Sequence, residues 1–152
     1  MSVDFYVALP ADNWPTAVQV QQCIAARGYP IEVQDFPSPD RSKVRTEGAQ
    51  ILLDGSLAYL EGEVFSIAVA PEEVAIINER LAASGSPQIA ASEAVISFRT
   101  RSPEEMRAAS YLIASLVICF DGFGFEPQGN TSGRDDFATA LITGAEALKD
   151  LQ

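Results

Sequence analysis

The sequence contains no histidine. Without it the chain cannot build Ser-His-Asp or Cys-His catalysis, imidazole zinc sites or proximal-histidine haem, and it has no side chain that ordinarily moves protons near neutral pH. Basic residues are scarce too: ten Lys and Arg stand against twenty-one Asp and Glu, for a net charge of −11. A surface for nucleic acid or an anionic membrane gains its affinity from clustered Lys and Arg, so neither partner is expected. The only lysines are Lys43 and Lys149, and neither lies in an apolar run that would desolvate it for Schiff-base chemistry. No GxxxxGK[ST] stretch occurs, and Gly122-Phe-Gly124 is not followed by the third glycine and helix of a dinucleotide site.

Long apolar runs are missing as well. The most apolar segment, Ala108 to Phe120, has 13 residues and is interrupted by Ser110 and Ser115. A bilayer crossing needs roughly 20, so a buried core helix is predicted. The N-terminal stretch Met1 to Pro10 has no basic region and carries an acid at position 4, the pattern of a strand and not of a signal peptide. The two cysteines, Cys23 and Cys119, fall in helical patterns without CxxC spacing. Two buried, reduced thiols are therefore expected in place of a disulfide, and a cytoplasmic location with them.

What is present is 152 residues, 47% hydrophobic and 20% charged. That composition predicts one globular domain over 1–152, burying roughly 68–70% of its unfolded surface. Val3–Leu9 reads as a strand stopped by Pro10. A helix over 14–27 follows, capped by Asp12 or Asn13 and ended by Gly28. Ile31–Val33 offers a short strand, and the Pro-rich Asp35–Thr46 a loop holding the bases Arg41, Lys43 and Arg45. Ala49–Leu53, Leu57–Leu60 and Glu63–Val69 are separated by the turn signals Asp54-Gly55 and Glu61-Gly62, which predicts a three-stranded meander. Pro71 starts a helix with Glu72 and Glu73 in its first turn and Val74, Ile77 and Leu81 as its buried stripe. Ala94–Thr100 is a strand. Ser102-Pro-Glu-Glu105 is a capping box for the apolar helix to Phe120, and Phe137, Leu141, Ala145 and Leu148 mark a last amphipathic helix. Consecutive strands between helices, without strict βαβ alternation, predict an α+β fold: a mainly antiparallel sheet with a meander, packed against about four helices.

Chemistry-bearing constellations are few. Asp121 and Glu126 flank the glycines 122 and 124, and with Asp135 and Asp136 could supply a paired-carboxylate or metal-dependent hydrolase. The spacing does not match a calcium loop, and a turn followed by acids at a helix N-terminus accounts for the same residues. No catalytic residue, metal ligand or cofactor is assigned. The charge distribution points elsewhere. Between Thr46 and Phe98 eight acids face Arg80 alone, a net −7. Clustered negative charge speeds association with a cationic partner, and aromatics beside it would anchor the complex. Asp54, Tyr59, Glu61 and Glu63 on the meander are the expected interface. Trp14 is a further candidate, either partly exposed at that interface or stapled onto its own helix.

A small, acidic chain whose capped apolar helix from Ser102 runs into Asp121-Gly122 and then Glu126-Pro127-Gln128 resembles the immunity proteins of bacterial toxin–immunity systems. That resemblance implies a non-enzymatic inhibitor whose acidic face occludes the active-site region of a basic protein toxin. A type III secretion chaperone is a competing expectation, although those proteins open with a helix and this chain opens with a strand.

Overall fold

A computed structural model describes residues 2–151. The elements in chain order are β1 (Val3–Pro10), α1 (Ala17–Arg27), β2 (Ile31–Asp35), β3 (Ala49–Leu53), β4 (Ser56–Leu60), β5 (Val64–Ser66), α2 (Pro71–Ala83), β6 (Glu93–Thr100), α3 (Pro103–Cys119), β7 (Phe123–Glu126), β8 (Thr131–Gly133) and α4 (Asp135–Asp150). The strands form a five-stranded sheet in the order β5-β6-β1-β7-β8 and a three-stranded meander in the order β2-β3-β4. Every pairing is antiparallel. The fold is α+β, as the strand and helix order predicts.

The centre is α3. Ser102 caps it by accepting from the Glu105 amide at 3.1 Å, and Pro103 occupies its first turn, where a missing N–H costs nothing. The Glu105 carboxylate reaches back one residue further than a capping box requires and accepts from the Arg101 amide at 2.8 Å. From Arg107 to Val117 every residue is buried. A helix apolar on all sides needs cover on all sides, and α3 receives it from both sheets. Ile31, Val33, Ala49, Ile51, Leu53 and Leu60 of the meander share one core with Phe5, Val7, Leu9, Ile96 and Phe98 of the larger sheet, joined by Val20 and Ile24 of α1 and Phe137 of α4.

The other face of the five-stranded sheet forms a second core, in which Val74, Ile77 and Leu81 of α2 lie over Ala8, Phe65, Val95, Phe123 and Phe125. Strand alternation divides neighbours between the two cores: Val64 belongs to the first and Phe65 to the second. The chain passes from one sheet to the other through Glu61-Gly62-Glu63. Along this step the Arg99 amide donates to the Glu61 carbonyl at 2.7 Å and the Ser97 amide to the Glu63 carbonyl at 2.8 Å. Gly62 is required here, since a Cβ would run into the Ser97 carbonyl.

Three expectations are corrected. The third strand of the meander is β2 and not Glu63–Val69. β2 pairs with β3 through Ile31 to Leu53 and Val33 to Ile51, while Val64–Ser66 pairs with β6 and residues 67–69 turn away into α2. Sequence proximity favoured the hairpin neighbour, but Phe65 finds its apolar cover under α2. Next, α1 begins at Ala17, because Thr16 and Gln19 form a reciprocal capping box that displaces Asp12 and Asn13 from that role. Finally, the cysteines are not reduced thiols. Cys23 of α1 and Cys119 at the end of α3 form a disulfide, with α-carbons 6.4 Å apart and 96 residues of separation. Two helices far apart in sequence pack side by side, which spacing arguments cannot see. Residues 131–133 add the short edge strand β8 beside β7.

A crosslink closing a loop of this length restricts the unfolded chain strongly. Cys23→Ala/Cys119→Ala is expected to lower unfolding free energy by about 2–4 kcal/mol, read as a lower urea midpoint. Dithiothreitol should lower the midpoint of the parent protein and leave that of the double variant unchanged.

Candidate functional site

Because α2 covers only part of its sheet face, the ends of β1 and β6 on that side lie open. The residue pairs there are Asp4 with Arg99 and Tyr6 with Ser97. Both strands present these side chains on the α2 side by simple alternation: Phe5, Val7, Ile96 and Phe98 point to α3, so Asp4, Tyr6, Ser97 and Arg99 point away from it. The β4–β5 step adds Glu61 and Glu63, and the first turn of α2 adds Glu73. Together they line a cleft of about 360 Å³. Four carboxylates face Arg99, the single base in its wall.

The ion pairs are unevenly distributed. Arg99 holds Asp4 with both ends of its fork, at 2.9 and 3.3 Å. Glu61 accepts from Arg101, outside the cleft wall, at 2.6 Å, and that bond holds the Glu61 carboxyl below the usual range. Glu63 and Glu73 have no salt bridge among the described residues. Burial pushes the Glu73 carboxyl above its ordinary value, and the charge of Glu63 adds to the effect. Burial also raises the Tyr6 hydroxyl, followed by Asp4 and Glu73. The Tyr6 ring is fixed by stacking on Phe125 at 5.1 Å.

The structure therefore brings together two of the predicted interface residues, Glu61 and Glu63, and sets the others apart. Tyr59 lies two residues before Glu61 on the outer face of β4, 47% exposed, with its hydroxyl accepting from the Gly48 amide at 2.9 Å. Leu57, 68% exposed, extends the same outer row. Asp54 sits at the far end of β4, in the β3–β4 turn, with φ 50°, and its carboxylate meets the buried Arg107 guanidinium of α3 at 3.3 Å. It locks the meander to the central helix and does not line the cleft. Trp14 is partly buried, packed against the core that contains Val20 and Ile24 of α1. Its indole N–H donates to the Pro37 carbonyl at 2.9 Å and its ring stacks on Phe36, which ties down the loop after β2.

Sequence reasoning missed Asp4, Tyr6, Glu73 and Arg99. Asp4 and Tyr6 carried a signal, since an alternating strand with polar residues at 4 and 6 exposes one face. That this face meets the acids of the β4–β5 step depends on β1 lying beside β6, a long-range pairing. The carboxylates 121, 126, 135 and 136 do not converge. Asp121 meets Arg134 at 3.2 Å, Glu126 accepts from the Gly129 amide, and Asp135 and Asp136 occupy the first turn of α4. Among the described residues no group of three or more Cys, Asp or Glu is arranged to hold a metal ion, and no helix is long and apolar enough to cross a membrane. The chain matches no family model, no curated protein and no solved structure.

A carboxyl whose pKa is higher folded than unfolded binds extra proton in the folded state between those two values. Stability then falls as pH rises through that window, and the penalty persists above it. Glu73→Gln is thus expected to raise the urea midpoint at neutral pH, by at most about 1 kcal/mol because the group keeps contact with water. Below the ordinary value of 4.5 the two proteins should converge. A midpoint equal to or lower than the parent's at neutral pH would refute the assignment.

Proposed function

We propose that the chain is a binding protein for a cationic protein partner, of the kind that a toxin-neutralising immunity protein requires. The observation that carries this reading is the convergence of Asp4, Glu61, Glu63 and Glu73 on one open cleft. Two of these carboxylates are without a salt bridge, and negative potential in a concave wall steers a basic surface toward it. Tyr59 and Leu57, exposed on the outer row of β4 that leads to Glu61, would add apolar anchoring if the partner extends along the meander. In this reading Glu63 and Glu73 meet the partner's guanidinium or ammonium groups, while Glu61 and Asp4 keep their own arginines.

The location expected from reduced thiols needs revision. A disulfide across 96 residues favours an oxidising compartment, so the partner would be met outside the reducing cytoplasm.

The test begins with the neighbouring reading frame: this reading expects it to encode a basic protein, which is then titrated with the full chain. Association should be fast and strongly salt-sensitive. Glu63→Lys/Glu73→Lys should slow it by roughly tenfold or more at low salt, and Tyr59→Ala should speed dissociation with little effect on association. Co-expression of the parent chain should protect cells from that protein, and the double charge reversal should not. Equal association rates for parent and double reversal at low salt would overturn the placement.

A further inference from the structure

A second cavity, unconnected with the acidic cleft in its chemistry, lies between the C-terminal half of α2 and the β7–β8 hairpin, with a volume of about 270 Å³. Its floor is apolar, made by Ile77, Leu81 and Phe125. One end is closed by a chain of hydroxyls: Ser84 Oγ lies 3.2 Å from Ser86 Oγ, which lies 2.8 Å from Ser132 Oγ, so the end of α2 is fastened to β8.

Two opposite charges line this cavity. Glu126 is only 8% exposed. Its Oε2 accepts from the Gly129 amide, and its Oε1 has no hydrogen-bond donor among the described residues. Arg80, on α2, forms no salt bridge among the described residues. The two also stand too far apart to pair with each other, since every ion pair within 4.0 Å involves other residues. Glu126 Oε1 is not among the buried unpaired atoms, so it keeps contact with solvent and is free to accept from a ligand. An apolar floor with a cation on one wall and an anion on the other is complementary to a molecule that carries both charges and an apolar group. The volume is slightly below the roughly 300–1,000 Å³ of sites for drug-sized ligands, which suits a small metabolite.

We infer that this cavity binds a free α-amino acid with an apolar side chain. Its ammonium donates to Glu126, its carboxylate accepts from Arg80 and the Ser132 hydroxyl, and its side chain lies on Ile77, Leu81 and Phe125. The assignment does not rest on the proposed partner, because none of these residues lines the acidic cleft.

The test is calorimetric titration and thermal melting of the full chain with L-leucine, L-methionine and L-phenylalanine. 4-Methylpentanoate lacks the ammonium and 3-methylbutylamine lacks the carboxylate. At least one of the three amino acids should bind and raise the melting temperature, and each truncated analogue should bind at least about tenfold more weakly than the tightest amino acid. Arg80→Ala, at an exposed position, and Glu126→Gln, which keeps an acceptor for the Gly129 amide, should each weaken amino-acid binding by a similar factor. Arg80→Ala should retain the circular dichroism spectrum and melting temperature of the parent without ligand. Failure of all three amino acids to bind overturns the inference. So does binding of either truncated analogue as tightly as the tightest amino acid, or binding to Arg80→Ala equal to that of the parent.

Discussion

The structure depends on the complete burial of α3. A helix that is apolar on every side leaves a fold no free choice about its surroundings, because each uncovered turn would expose several large side chains to water at about 25 cal/mol for every Å². One sheet cannot surround a helix, and here two do so, with α1 and α4 closing the remaining sides. The few polar groups on α3 are drawn into this arrangement as fasteners. Arg107 reaches the Asp54 turn of the meander, and Tyr111 donates to Glu146 of α4 at 2.7 Å while packing on the Tyr29 ring at 5.3 Å. Burial, followed by the Glu146 bond, raises the Tyr111 hydroxyl above its ordinary value, so it stays a neutral donor in the core.

Surrounding a helix with two sheets forces the chain to cross between them. It does so once without an intervening helix, at Glu61-Gly62-Glu63, and this crossing sets the position of the acidic cleft. The backbone must stay close enough to β6 to exchange bonds with Ser97 and Arg99, which admits only glycine at 62 and aligns the glutamates on either side of it with the cleft. Ala8 and Val95 are buried in the core that holds the apolar stripe of α2, whereas Tyr6 is only partly buried against it and Ser97 lines the cleft. The second sheet face is accordingly divided between a covered apolar half and an open polar one, and both cavities lie on the borders of α2. Their positions follow from how far one helix extends across a sheet.

Local chemistry in the sequence was enough for most elements. Pro71, Ser102 with Pro103, Gly28 and Asp54-Gly55 each act within a few residues, and the structure uses them where the pattern predicts. Apart from the α1 cap, which the local Thr16–Gln19 pair takes from Asp12 and Asn13, the misassigned features involve partners distant in sequence. Glu63–Val69 follows a turn signal, but its pairing is decided by Phe65 and the cover waiting under α2. Cys23 and Cys119 lie on separate helices whose adjacency is a property of the core. The indole N–H of Trp14 bonds a loop carbonyl 23 residues away, a partner its local sequence does not indicate. The acidity of 46–98 was visible from composition, and Glu61 and Glu63 with it. Asp4 and Arg99 could enter the same site only through the register of β1 with β6.

The electrostatics of the cleft separate its carboxylates into two kinds. Asp4 and Glu61 are held by Arg99 and Arg101, and the lowered Glu61 carboxyl shows that the second of these bonds favours the charged form. Glu63 and Glu73 face each other's charge across partly desolvated space, and Glu73 responds by holding its proton more tightly. A cation placed between them would reverse that preference, since a neighbouring opposite charge favours the ionised carboxyl. Occupancy by a guanidinium or ammonium is therefore linked to proton release from Glu73, and its free energy becomes more favourable as the pH rises through the raised value of that group. Burial is the larger cause of the raised Glu73 carboxyl and the Glu63 charge the smaller; a cationic partner would offset the second and, by pairing with the ionised group, compensate the first.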